Sequence, residues 1–256
     1  MSDIIVTQAS NLLELTLDRP KKKNALSFAM YEALADALHA AQKNPAVRVV
    51  LLSASGDAFC SGNDINDFLA GTGLDPTSAP PIRFIEALVA LDKPLLAAVQ
   101  GAAVGIGTTM LLHADLVVAH ESARFSVPFV GLGLVPEAAS SLLLPRRVGP
   151  AAANDLLLRG SVIDAQRAAD IGLVNEVVRA PNDLLTVARE RANEIAAKPP
   201  RAVRLTKALT RHPQAEVLAR VHEEAKHFAD RVTSDEAREA FTAFIERRPA
   251  NFANFS

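Results

Sequence analysis

Two glycine-bearing turns carry the first chemistry that can be read from the chain. One is Ala58-Phe59-Cys60-Ser61-Gly62-Asn63-Asp64, the other Gln100-Gly101-Ala102-Ala103-Val104-Gly105-Ile106-Gly107. Each follows a run suited to a buried strand, at residues 47–52 and 94–99. Glycine lets the main chain bend and approach a ligand closely. A helix starting just after such a turn leaves unpaired N–H groups pointing outward. Two N–H groups aimed at one point would make an oxyanion hole. Most glycine turns between a strand and a helix are purely structural, and on these residues alone that alternative stands. The spacing fits neither the phosphate-loop nor the dinucleotide fingerprint.

The elements around these turns alternate. Leu13, Leu15 and Leu17 interleave with Glu14 and Thr16, a strand period. Ser27 is placed to cap a helix that runs to about Lys43, with Met30, Leu34, Leu38 and Ala41 as its apolar stripe. A flexible stretch at 71–81 precedes a helix expected over 82–91. Strands follow at 94–99 and 115–119. Asp164 caps a short helix that Gly172 ends, and 173–178 is the last clear strand. Past Pro181 strand signals vanish and amphipathic helices take over, broken at Pro199-Pro200 and Pro213. The rhythm predicts a layered α/β architecture.

Bulk properties exclude several function classes. The chain has 256 residues, 49% hydrophobic and 22% charged, with a net charge of −2. That balance supplies no broad basic field for nucleic acid or an anionic membrane. The apolar stretch at 94–112 is interrupted by Pro94, Gln100 and three glycines, so no membrane span is expected. Cys60 is the single cysteine, which rules out an intramolecular disulfide framework. Its expected place is the core, beside Phe59. His113 and His120 flank a strand without metal-ligand spacing, so no metal site is expected. Asp115 reads as a structural ion-pair partner, and Asp64 as a cap or turn residue. The N-terminus has no secretory signal, and a cytoplasmic location is expected.

Taken together, the motifs resemble the enoyl-CoA hydratase/isomerase (crotonase-like) superfamily. They run in order across most of the chain: Arg19-Pro20 through Asn24-Ala25-Leu26, Phe59 to Ile65, Lys93-Pro94 through Gly107, Ala114-Asp115-Leu116, Leu144-Pro145-Arg146-Arg147-Val148-Gly149, and Gly172-Leu173-Val174-Asn175. The resemblance implies a crotonase-like spiral of β-β-α units with a helical C-terminal region. It divides the chain into an acyl-CoA-binding core, 1–195, and a helical oligomerisation region, 196–256, with a homotrimer or dimer of trimers as the assembly. By the same resemblance, the oxyanion hole is made by the N–H groups of Asn63 and Ile106. Ile106 stands where relatives commonly have glycine, but a main-chain donor survives any substitution except proline. The implied CoA contacts are Lys22, Ala25, Ser61, Gly62, Asn63, Asp64 and Ile65. Lys21, Lys22 and Lys23 could face the CoA phosphates, and a solvated turn is an equal reading of each. No cofactor is implied beyond the CoA of the substrate.

The reaction is the harder part. Hydratases that resemble this chain place two glutamates around a water. Here those positions hold Thr109 and Phe129, which cannot do that acid–base work. Glu137, in Val135-Pro136-Glu137-Ala138-Ala139-Ser140-Ser141, instead resembles the lone glutamate of the peroxisomal-type Δ3,Δ2-enoyl-CoA isomerase branch. The resemblance therefore implies Glu137 as the catalytic base of an isomerase. The bland alternative makes Glu137 a first-turn glutamate that favours a helix dipole. Competing readings are a hydratase or other crotonase-type reaction, and a non-catalytic acyl-CoA-binding protein.

Overall fold

The computed structural model describes residues 3–64, 67, 75, 78–180 and 183–255. Nine strands form two sheets among these residues. Six of them, β1 (Ile4–Ala9), β2 (Leu12–Leu17), β3 (Val49–Ala54), β4 (Leu95–Val99), β6 (Leu116–His120) and β9 (Glu176–Val178), form one sheet in the order β1-β2-β3-β4-β6-β9. Only the β1–β2 pair is antiparallel; the rest run parallel. The second sheet joins β5 (Ala102–Val104), β7 (Arg124–Ser126) and β8 (Ile163–Asp164) in the order β5-β7-β8. Parallel neighbours need crossovers, and these are supplied by the helices.

The strand residues divide between two faces. Leu13, Leu15, Leu17, Val50, Leu52, Leu95, Ala97 and Val99 enter the main core with Tyr31, Leu34 and Leu38 of α1 (Phe28–Lys43) and Phe84, Ile85 and Leu88 of α2 (Pro80–Ala90). Leu12, Val49, Leu51, Leu96, Ala98 and Val118 face the other way, against Ala188, Ala192 and Ala196 of a later helix, Leu184–Ala196. Burial on both faces explains why β3 and β4 read as unbroken apolar runs instead of alternating. Glu14 also lies on the second face, where the Arg189 guanidinium holds it through two bonds of 2.7 and 2.8 Å.

The expected α1 runs from Ser27, whose hydroxyl accepts the Met30 N–H at 3.3 Å. The helix expected over 82–91 starts two residues earlier, because Pro80 supplies a fixed φ at the first turn. Asp164 accepts the Arg167 N–H and caps the helix Ala165–Asp170, as its position predicted. The strands β5, β7 and β8 were not expected. They are two or three residues long, too short to show a period.

The remaining helices, in chain order, are α3 (Ile106–Thr109), α4 (Ser140–Val148), α5 (Pro150–Arg159), α6 (Ala165–Asp170), α7 (Leu184–Ala196), α8 (Pro200–Thr210), α9 (Gln214–Val232) and α10 (Asp235–Glu246). The last three fold back on the same chain. On α8, Lys207 is buried and pairs with Asp115 at 2.6 Å, so Asp115 has the structural role expected of it. On α9, Val217, Val221, Glu224 and Ala225 form the buried face. On α10, Ala237 packs so closely on Gly133 that an added Cβ there would lie 2.7 Å from the Ala237 nitrogen.

Candidate active site

The second sheet exists to hold the two glycine turns. Its edge continues through two isolated parallel bridges, Cys60 to Ala103 and Leu26 to Asn63. The Cys60 N–H donates to the Ala102 carbonyl at 3.0 Å, and the Val104 N–H to the Cys60 carbonyl at 2.9 Å. Three residues past Cys60 stands Asn63; two past Val104 stands Ile106. Gly107 draws the turns closer still: a Cβ there would lie 2.5 Å from the Cys60 oxygen. Between the turns, Gly105 takes φ +56° and Gly62 φ +109°, left-handed conformations that L side chains resist.

Both turns leave the expected N–H groups free. In the Leu26–Asn63 bridge, Leu26 donates to the Gly62 carbonyl and Asp64 to the Leu26 carbonyl, so the Asn63 N–H is passed over. Ile106 is the first residue of α3, where the helix supplies its N–H with no acceptor. Among the described residues no hydrogen bond takes up either donor. Both come from segments bonded to each other through the Cys60–Ala103 bridge.

The implied CoA contacts also meet here. The segment 22–26 lies along 61–64: Ser61 N–H donates to the Lys23 carbonyl at 3.0 Å, and Ser61 Oγ to the Lys22 carbonyl at 3.4 Å. Lys22, Ala25, Ser61, Gly62, Asn63 and Asp64 are therefore neighbours. Asp64 is buried and takes the Arg19 guanidinium at 2.6 Å, so it serves as an ion-pair anchor of this segment. Ile65 lies outside the described residues. Of the three lysines, Lys23 pairs with Asp57 at 2.5 Å, while Lys21 and Lys22 are exposed.

Glu137 sits differently from the helix-start reading. α4 begins only at Ser140, and Ala138 and Ala139 both adopt left-handed φ, +59° and +56°. A non-glycine residue there costs about 1–2 kcal/mol, so the surrounding contacts must hold the turn. One of them is His113, whose Nε2 donates to the Ala138 carbonyl at 2.9 Å. Its imidazole is fully buried, and burial pushes its pKa down to about 4, so it is neutral at ordinary pH. The strained turn presents Glu137 inward. The residue is buried, its Oε1 has no hydrogen-bond partner among the described residues, and burial, with the nearby Glu224 charge, pushes its pKa up to about 8.

Glu137 overlooks the first turn. Its charge raises the pKa of both Tyr31 and Cys60, though burial is the larger cause in each; the Cys60 thiol is pushed up to about 12. Cys60 is thus an inert core thiol. The Tyr31 hydroxyl donates to Asn63 Oδ1, tying α1 to the residue with the free N–H. Thr109 and Phe129 are both buried near this centre: Phe129 Cε1 is 3.9 Å from where a Gly105 Cβ would stand.

Tyr31 and Glu224 escaped the sequence reading. Tyr31 lies beside Met30 on the apolar stripe and reads as core. Glu224 offered a signal: it falls on the buried face set by Val217, Val221 and Ala225, where an acidic residue is out of place.

Comparison with known proteins gives the family. The family description Enoyl-CoA hydratase/isomerase matches residues 7–254. The chain belongs to this family, within the crotonase superfamily of acyl-CoA-processing enzymes. It is 35% identical to the crotonyl-CoA hydratase of Syntrophomonas wolfei, over 98% of this chain and 97% of that protein. It is also 35% identical to enoyl-CoA delta isomerase 2 of Rattus norvegicus, over 96% of this chain and 64% of that protein. The crystal structure of an enoyl-CoA hydratase/isomerase from Pseudoalteromonas atlantica superimposes with a TM-score of 0.91 at 41% identity, covering 98% of this chain and all of the other.

Proposed function

We propose that this enzyme is a Δ3,Δ2-enoyl-CoA isomerase with Glu137 as its only acid–base group. The observation that carries this reading is the buried Glu137 carboxylate near the first turn, whose Oε1 has no hydrogen-bond partner among the described residues, with Thr109 and Phe129 where a hydratase needs carboxylates. In this mechanism the N–H groups of Asn63 and Ile106 donate to the thioester oxygen of a 3-enoyl-CoA. Negative charge that develops on that oxygen makes the C2–H acidic. Glu137 takes the C2 proton, and the electron pair moves into a dienolate. The same proton returns to C4, the C3=C4 bond becomes C2=C3, and the double bond is conjugated with the carbonyl. No water is consumed.

Each part has a magnitude. An oxyanion donor typically contributes about 3–4 kcal/mol, and a positioned base roughly 10²–10⁴-fold. A base with a pKa near the working pH is effective because it can both take and return the proton. Glu137 acts in its charged form, so kcat/KM should rise as pH rises through about 8.

The test is direct. Purified protein given a 3-enoyl-CoA should develop the absorbance of the conjugated 2-enoyl thioester, and Glu137→Gln should lower that rate by about 10²-fold or more. Wild-type turnover no faster than the Glu137→Gln protein would end this assignment. A second reading, hydration of a 2-enoyl-CoA, is favoured by the unpartnered buried hydroxyl of Thr109, a seat for a water. Formation of a 3-hydroxyacyl product from 2-enoyl-CoA, in place of isomerisation, would establish it.

A further inference from the structure

Glu224 has no part in the proposed reaction, yet it is the second carboxylate buried against the Glu137 turn. It reaches from α9, 87 positions further along the chain than Glu137, and is 5% exposed. Oε1 accepts the Ser141 N–H at 2.9 Å and the Ser141 hydroxyl at 2.5 Å. The Ala139 N–H also points at this carboxylate. Glu224 therefore grips Ser141, two residues past the pair of left-handed alanines. Its other oxygen, Oε2, is buried without a partner among the described residues.

We propose that Glu224 is a positioning residue for Glu137: it clamps the left-handed turn that presents Glu137 and stands as a fixed second carboxylate behind it. This inference rests on the reading of Glu137 as the acid–base group.

The two carboxyl groups are unequal by construction. Burial raises the pKa of Glu224, but its two bonds from Ser141 and the nearby Arg220 guanidinium oppose that rise, and Glu137 has no such support. Arg220 also donates to the Ser141 hydroxyl at 3.1 Å, so the clamp is a chain from Arg220 through Ser141 to Glu224. Glu137 Oε1 accepts no bond. Among the described residues, the titratable groups that interact with Glu137 are Tyr31 from α1, Cys60 from the first turn and Glu224 from α9, and none of these is a cation. The His113 ring bonds the Ala138 carbonyl and is neutral, and the cations near it, Arg211, Arg147 and Lys207, act on His113 and not on Glu137. A proton taken up by this pair is therefore held on Glu137, where it can be exchanged with substrate carbons.

The experiment reads the protonation of Glu137 with and without turnover. Carboxyl-¹³C-labelled glutamate is incorporated into the full chain, the Glu137 signal is identified by its loss in Glu137→Gln, and its titration is followed together with the pH profile of kcat on a 3-enoyl-CoA. Glu224→Gln keeps the hydrogen-bond acceptor and removes the charge. It should move the Glu137 titration and the rising limb of kcat to lower pH by about one unit. Ser141→Ala, which weakens the charged form of Glu224 and leaves the backbone bond, should move both in the same direction by less. Should Glu224→Gln fail to fold, Ser141→Ala carries the measurement. A Glu137 titration unchanged in every folded variant would overturn the proposal. A Glu137 titration that moves as expected in the variants, with no isomerisation by the wild type, would instead fault the assigned reaction, because the NMR titration does not need turnover.

Discussion

The two glycine turns and the Glu137 turn do opposite things with the same chain. In the proposed reaction the turns at 59–64 and 101–107 act through main-chain N–H groups, so their side chains matter mainly as bulk to be kept away. Glycine stands where two backbones touch, as at Gly107 against Cys60 and at Gly101, where a Cβ would fall 1.8 Å from the Asp57 oxygen. In the same proposal the segment 133–141 acts through one side chain, that of Glu137. It spends left-handed φ on two alanines and leaves a buried carboxylate oxygen without a partner. Main-chain chemistry needs close, fully bonded packing. Side-chain acid–base chemistry needs a group the fold has declined to satisfy. The first region is held by its own neighbours, and the second is held from afar, by His113 and by Glu224 on α9.

The largest expected effect that would break this contrast is steric. Gly107→Ala places a methyl group into the Cys60 main chain and should cost about 3 kcal/mol of stability or more, read from urea unfolding, with isomerase activity lost. An unchanged unfolding midpoint would mean that the two turns are not locked together. A smaller effect is expected at Tyr31. Tyr31→Phe keeps the ring and removes the bond to Asn63, which should cost about 1 kcal/mol and lower kcat several-fold with KM nearly unchanged. An unaltered kcat would show that the Asn63 loop is held without it. The smallest effect concerns strain. Ala138→Gly should relieve the left-handed φ and stabilise the protein by up to about 1 kcal/mol in the same unfolding assay. A loss of stability there would mean that the turn is unstrained.

Much of the fold was legible because it rests on local signals. The alternation in β2, the Ser27 and Asp164 caps and the apolar runs of β3 and β4 each report on residues within one element. β5, β7 and β8 left no such mark, since a three-residue strand is defined by its partners. The glycine turns were legible as turns, and the resemblance to relatives, more than spacing, pointed to Asn63 and Ile106. Glu137 was singled out by position, but its setting was misjudged when taken for a first-turn residue, because a left-handed alanine pair has no signature of its own. Tyr31 was hidden inside an ordinary apolar stripe.

Composition and short motifs by themselves determined that this chain folds into α/β layers and that two glycine-bearing turns follow buried strands, while Glu137 was singled out only by the resemblance. Those properties depend on neighbours along the chain. Tertiary structure alone decided that the two turns meet, that the Glu137 Oε1 is buried with no partner among the described residues, and that a glutamate 87 positions away lies close enough to act on it. Burial and charge proximity are relations between distant segments, and only the packed chain brings them within reach of one another.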